Sequence, residues 1–301
     1  MSRPAMPPDR QAPPRLLLVG NVTRDLDESD RSRFIHGGSV TYAAHTSHAL
    51  GVAAEAVTRV AHDEDLSDLT DLAHWTVLPS HTTTTFVNQY RGEVRTQLCF
   101  DPAAPIGGRD LSPRQRRAEA VFLCPIMQEI ASDLPASFAA GTLKAGGAQG
   151  WLRHIAPDGR VEACVWPEAD DSLSHLDILI LSREDLDHDL SRLDPLLARV
   201  PVVLLSNHRQ GSDLFIRHRG RVVRRHVPPR PAREVDPTGA GDIFATAFLI
   251  RYAETGALWS SARFANAAAS MGVEGVGASR IPDRRTVLAW LEANPATEPE
   301  Q

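Results

Sequence analysis

The chain is poor in cysteine and nearly devoid of lysine, with three cysteines and a single lysine, Lys144, among 301 residues. Cys99, Cys124 and Cys164 are widely spaced and odd in number. That pattern suits reduced thiols packed in the core of a cytoplasmic protein better than a disulfide framework. Any chemistry that requires a lysine has only Lys144. Long apolar runs are also missing: none approaches the roughly 18 to 20 residues that cross a bilayer, so a soluble chain without a membrane partner is expected. The net charge is -6 and no dense Lys/Arg tract is present. This argues against sequence-independent binding to nucleic acid, where neutralised phosphates supply most of the affinity. The most basic stretch, Arg221, Arg224, Arg225 and Arg230, reads as a solvated strand and turn. Residues 1–14 lack the apolar segment of a secretory signal and are expected to be a disordered lead-in, with no export implied.

Several chemical motifs are absent too. No GxxxxGK[ST] occurs, which excludes the Walker-type NTPases, and the protein-kinase motif set is missing. The glycines of 146–150 and 272–277 do not follow a strand with an acidic residue about 20 positions on, as a dinucleotide fold requires. The twelve histidines form neither H-E-x-x-H nor a Cys/His pair at zinc-finger spacing. His45 and His48 lie one helical turn apart and are expected to pack or face solvent. Gln149, Trp151 and Arg153 occupy a glycine-flanked segment that could reach a substrate or phosphate; the preferred reading is a packed aromatic beside a surface arginine.

What is present is an alternation of short apolar runs and helix-compatible stretches. Hydrophobic content is 42% and charged content 23%, near globular averages. Arg15 to Gly20 reads as a buried strand opening into a loop, and Ser39 to Leu50 as a helix closed by Gly51. Glu55 to Val60 is the next strand. Thr82 to Tyr90 and Val94 to Phe100, separated by Arg91-Gly92-Glu93, form a predicted hairpin. Further strands are expected at Ala120 to Leu123, Leu176 to Leu181 and Val200 to Leu205, with helices between them. The pattern predicts an α/β domain over 15–293 with a doubly wound, mostly parallel sheet. Small lid elements are expected at about 25–36 and 82–100, and a frayed tail over 294–301.

Chemistry concentrates in Val235-Asp236-Pro237-Thr238-Gly239-Ala240-Gly241-Asp242, followed by the apolar, proline-free run Ile243 to Glu254. Small residues at 239–241 let the backbone turn tightly and present successive N–H groups, and the helix that follows adds the positive end of its dipole. The product is an anion site with a carboxylate, Asp242, at its mouth. Such a carboxylate can take a proton from an alcohol that attacks a phosphorus held by those amides. The plainer reading is a glycine-rich turn with an aspartate near the helix start.

The string DPTGAGD resembles the second signature of the ribokinase-like (PfkB) carbohydrate kinases, D-T-x-G-A-G-D, with Pro237 in place of a threonine. The resemblance runs from about Leu16 to Leu291 and implies a three-layer ribokinase-like fold with a small β lid. It implies an ATP-dependent kinase using Mg2+, in which Asp242 is the catalytic base and Gly239, Ala240 and Gly241 stabilise the transferred phosphoryl group. Gly20-Asn21 with Asp25, and Gly37-Gly38, resemble the acceptor-binding elements of the family. Asp236 and Thr238 fall on the phosphate side, and Asp236 is similar to a residue that in some members lies near a monovalent cation. Asn266 and Ala278 fall on the adenine side. Two motifs depart from the pattern. Ser182-Arg183-Glu184-Asp185 stands where N-x-x-E is common, so Asp185 takes the metal role, through water. Ser206-Asn207-His208-Arg209-Gln210-Gly211 stands where T-x-G-x-x-G is usual, keeping Ser206 and Gly211 but placing His208 at a glycine. VGNVTRD, the di-glycine followed by serine, and Cys99-Phe100-Asp101-Pro102 most resemble the inositol 3-kinase branch and its bacterial relatives. The acceptor implied is a small polyol, sugar or nucleoside. A nucleoside kinase and a catalytically weak binding relative remain alternatives, and so do monomer and homodimer.

Overall fold

The structure, a computed structural model, describes residues 15–298 apart from 29, 92–93 and 167–168. The chain begins with β1 (Leu16–Val19), β2 (Thr23–Leu26), β3 (Phe34–Gly37) and α1 (Ser39–Ala49). It continues through β4 (Ala54–Ala61), β5 (His74–Ser80), β6 (Thr85–Arg91), β7 (Val94–Phe100), β8 (Ala120–Leu123) and β9 (Leu143–Gly147). A short ribbon, β10 (Arg153–Ile155) and β11 (Val161–Ala163), precedes α2 (Ala169–Leu173), β12 (Ile178–Ser182), α3 (Asp194–Leu197) and β13 (Val202–Ser206). The hairpin β14 (Ser212–His218) and β15 (Arg221–Val227) leads to α4 (Ala240–Thr255), α5 (Leu258–Gly272) and α6 (Arg284–Ala293).

One sheet orders these strands β15-β14-β13-β12-β9-β8-β1-β4-β5, parallel from β5 to β13 and antiparallel at β14 and β15. Its central strands are apolar throughout because both faces are covered. Alternation sends Leu16 and Leu18 to one face, against α1, α4 and α5, and Leu17 and Val19 to the other. Among the described residues no helix is long and apolar enough to cross a membrane.

The two faces are covered differently, and here the sequence reading needs correction. Between β8 and β13 the expected crossover helices shrink to 3-10 turns and two short helices, α2 of 5 residues and α3 of 4. Pro125 and Pro157 interrupt that half of the chain, each removing a backbone donor, while Pro135 and Pro195 stand in the first turns of short helical segments, where proline is tolerated. Trp151 and Trp166 cover the face in place of a helix, stacked 4.2 Å apart. The sequence reading also missed β5 and β9, where Pro79 and Gly146-Gly147 obscured the strand pattern.

A second sheet, in the order β3-β2-β6-β7, stands over the carboxyl ends of the parallel strands. β6 and β7 pair as the predicted hairpin, with 92 and 93 of its turn outside the described residues. This sheet is tied to the exit of β4 by Glu64, whose buried carboxylate accepts from Arg24 Nε at 2.9 Å, pairs with His36 Nε2 at 3.2 Å and accepts from the Thr83 hydroxyl. At the other end of the chain, Glu298 forms an ion pair with Arg225 of β15.

Candidate active site

A cleft of about 910 Å³ opens where β1, β8, β9, β12 and β13 end, beneath the second sheet. Strand ends of a parallel sheet are where α/β folds collect their functional loops. One end of the cleft is lined by Thr23, Asp25, Phe86 and Gln97, and the other by Ser206, His208, Arg209 and Asn266. The start of α4 lies at the junction of the two ends.

Gly239 precedes α4 with φ of 76°, in the left-handed region. A Cβ there would lie 2.6 Å from Cγ of Tyr42 and would collide with Cδ1 and Cε1 of the same ring. Conformation and contact together therefore exclude any larger residue. The amide of Ala240 donates to Pro237 O at 3.1 Å and closes the turn. The next amides, Gly241 and Asp242, are first-turn groups with no partner within the helix, whose first bond runs from Ile243 N to Gly239 O. Asp236 braces the turn: its Oδ1 accepts from the N–H of Thr238 at 2.9 Å and its Oδ2 from the N–H of Gly277 at 2.8 Å.

Asp242 is sunk among protein groups yet keeps an accessible face on the cleft. Burial raises its pKa from 3.8 to about 6. The Asp185 charge pushes in the same direction, while the neighbouring Ser39 hydroxyl and the charge of Arg153 oppose it. A carboxylate with such a pKa is ionised at neutral pH and basic enough to accept a proton.

Asp25 lines the cleft from β2, and its Oδ1 accepts from the Thr23 hydroxyl at 3.0 Å. Gly37 on the paired strand makes this possible, because a Cβ at that position would sit 2.7 Å from the Asp25 Cγ. Gly37 thus spaces Asp25 rather than lining the cleft itself, whereas Gly38 lines it. Asn21 needs correction as a binding residue. It is fully buried, its Oδ1 accepts the N–H of Arg59 at 3.0 Å, and it fastens the end of β1 to β4.

At the far end, Asp185 Oδ2 accepts from Ser182 N at 2.7 Å and Ser182 Oγ at 2.9 Å, so a serine–aspartate turn stands where an asparagine–glutamate pair is usual. Ser206 and Gly211 both line the cleft. His208 adopts φ of 45°, in the left-handed region that glycine enters most freely, and its imidazole forms an ion pair with Glu184. Arg209 faces Glu234, with Nε 3.4 Å from Oε2. Asn266 lines the cleft while its Nδ2 donates to Val227 O and Pro228 O at 3.1 and 3.2 Å, so it also holds the exit of β15. Ala278 is not among the lining residues; its neighbour Gly277 contributes instead, through Asp236.

Gln149 and Arg153, which the sequence also allowed to reach a substrate or phosphate, line the cleft, and Trp151 is the packed aromatic of that segment; two other cleft residues escaped the sequence reading. Ser39 and Tyr42, in the first turn of α1, face Asp242 and Gly239. Their one signal was position, immediately after Gly37-Gly38.

The large, mostly parallel sheet with a small second sheet over its cleft is a ribokinase fold. Comparison with known proteins agrees. Residues 151–284 match the pfkB family carbohydrate kinases. Over 94 residues the chain is 39% identical to a ribokinase of Arabidopsis thaliana, a match covering 31% of this chain and 24% of that protein. A pyrophosphate-dependent kinase in the ribokinase family, solved with a pyrophosphate analog and myo-inositol, superposes with a TM-score of 0.75 at 23% identity, covering 91% of this chain and 99% of the other. The Arabidopsis thaliana ribokinase complexed with ribose and ATP gives 0.70 at 22% identity, covering 94% and 99%. Residues 151–284 thus match the PfkB family on a chain with the ribokinase fold.

Proposed function

We propose that the protein transfers the γ-phosphoryl group of ATP to a hydroxyl of a small polyol or sugar, with an inositol-like acceptor favoured and Asp242 as general base. The observation that carries this reading is the position of Asp242, a cleft carboxylate of raised pKa at the start of α4, between the end holding Asp25 and the end holding Ser206 and Asn266. Asp25 orients the acceptor. As the acceptor oxygen attacks the terminal phosphorus, its proton passes to Asp242, the bond from that phosphorus to the bridging oxygen breaks, and ADP leaves with the electron pair. The amides of Gly241 and Asp242 hold charge that develops on the transferred group. Arg153, a cation beside Asp242, favours its ionised form. A polar, uncharged acceptor suits an end that already combines Asp25 and Asp242 with Arg153, Gln97 and Gln149.

Mg2+ binds through one or two carboxylates and retains several waters. The donor end fits that habit, since no group of three or more His, Cys, Asp or Glu gathers among the described residues, while Asp185 presents a carboxylate anchored by Ser182. Asp185 would hold the ion through water, and the bound ion neutralises phosphate charge.

A second reading concerns the donor alone. His208 in place of a glycine, with Arg209 and Arg230 lining the same end, favours a compact polyphosphate such as pyrophosphate. The pyrophosphate-dependent neighbour supports that reading. Purified protein offered ATP or pyrophosphate with Mg2+, across inositols, pentoses, hexoses and nucleosides, separates these readings. Acceptor-dependent ADP release supports the first, acceptor-dependent phosphate release from pyrophosphate the second, and silence with every pair contradicts both.

A further inference from the structure

We infer that Tyr42 is the positioning residue that holds the anion-binding turn against the acceptor side of the cleft; this rests on the phosphoryl-transfer reading above. Ser39 and Tyr42 are three apart on α1 and therefore share a face. Each addresses a different part of the same element, Ser39 through its hydroxyl beside Asp242 and Tyr42 through its ring against Gly239. The ring fills the space a side chain at 239 would need. The phenol oxygen extends toward Gly277 and lies 3.8 Å from where a Cβ at that glycine would stand. Gly277 is the residue whose amide binds Asp236, so one side chain supports both strands of the brace around the turn.

Tyr42 is 8% exposed and lies among Asp236, Asp242 and Asp25. Burial foremost, and then those three negative charges, hold its phenol well above the usual range. A phenol so held stays protonated at neutral pH, and the ring it carries is what packs against Gly239. The helix that carries it starts directly after Gly37 and Gly38, the residues packed around Asp25 and Asn21. α1 therefore links acceptor orientation to the placement of the amides that receive the phosphoryl group. A misplacement of about 1 Å in such a site costs on the order of 10²-fold in rate.

The test compares Tyr42→Phe, Tyr42→Leu and Tyr42→Ala with the intact chain. It reads kcat, acceptor KM, the pH dependence of kcat, calorimetric affinity for inorganic pyrophosphate, and thermal melting. Tyr42→Phe keeps the ring and should stay within about 3-fold of the parent kcat. Tyr42→Ala should lose roughly 10²-fold in kcat with acceptor KM little changed. It should also bind pyrophosphate about 10-fold more weakly, and move the acid limb to lower pH as water reaches Asp242. Tyr42→Leu, closer in volume, should fall between them and decides the matter if Tyr42→Ala does not melt cooperatively. A folded Leu or Ala variant with parent kcat, acid limb and pyrophosphate affinity would overturn the inference. Absence of turnover in the parent protein would count against the kinase reading alone, and the pyrophosphate affinities would still decide the role of Tyr42.

Discussion

The Ser39 side chain stands beside the Asp242 carboxylate, bringing the first turn of α1 to the first turn of α4. Its hydroxyl favours the ionised carboxylate and so partly offsets the burial that raises its pKa to about 6.

Replacing Ser39 with alanine removes that offset. The Asp242 pKa should rise further, and the acid limb of the kcat profile should move up by about half a unit to one unit. Activity should therefore fall more at pH 6.5 than at pH 8.5, with acceptor KM nearly unchanged. Steady-state kinetics over that range would show it, and a limb that does not move would separate Ser39 from the base.

The same raised pKa has a consequence for stability. Above pH 6 the folded protein holds a buried charge that the unfolded chain solvates freely, a cost of about 1 to 3 kcal/mol. The cost declines as pH falls through about 6 toward 3.8, and it vanishes below 3.8, where the group is protonated in both states. Asp242→Asn should accordingly melt at a higher temperature than the parent at pH 8, with the gap closing toward pH 4. Equal melting temperatures at pH 8 would show that Asp242 carries no such strain.

At the donor end, His208→Gly preserves the left-handed backbone while deleting the ion pair with Glu184. The pair is half exposed, so stability should change by less than about 1 kcal/mol. Donor KM and the ratio of ATP to pyrophosphate use should change, and acceptor KM should not. Kinetics with both donors would check this; a change confined to acceptor KM would place His208 elsewhere in the reaction.

Sequence made the sheet legible where burial forced an unmistakable pattern. β1, β8, β12 and β13 are covered on both faces, and each appears as a short, uniformly apolar run. The turn at Gly239 was equally legible, since small residues ahead of an apolar helix have few other uses. The segment from β8 to β13 misled because its core contacts come from turns, which have no period to read. Asn21 misled because a polar residue at a strand exit can face a ligand or close a backbone gap, and only the neighbouring β4 shows that it does the latter. Tyr42 and Gly239 lie far apart in sequence, and the packing of α1 on α4 alone brings them together.

The most direct test of the account is turnover by Asp242→Asn beside the parent protein, with the acceptor that supports activity and with donor affinity measured in parallel. Loss of a general base costs about 10²- to 10⁴-fold, so kcat should fall on that scale while donor affinity is retained and the variant melts cooperatively. A folded variant that turns over at the parent rate would contradict the assignment of Asp242 as the base.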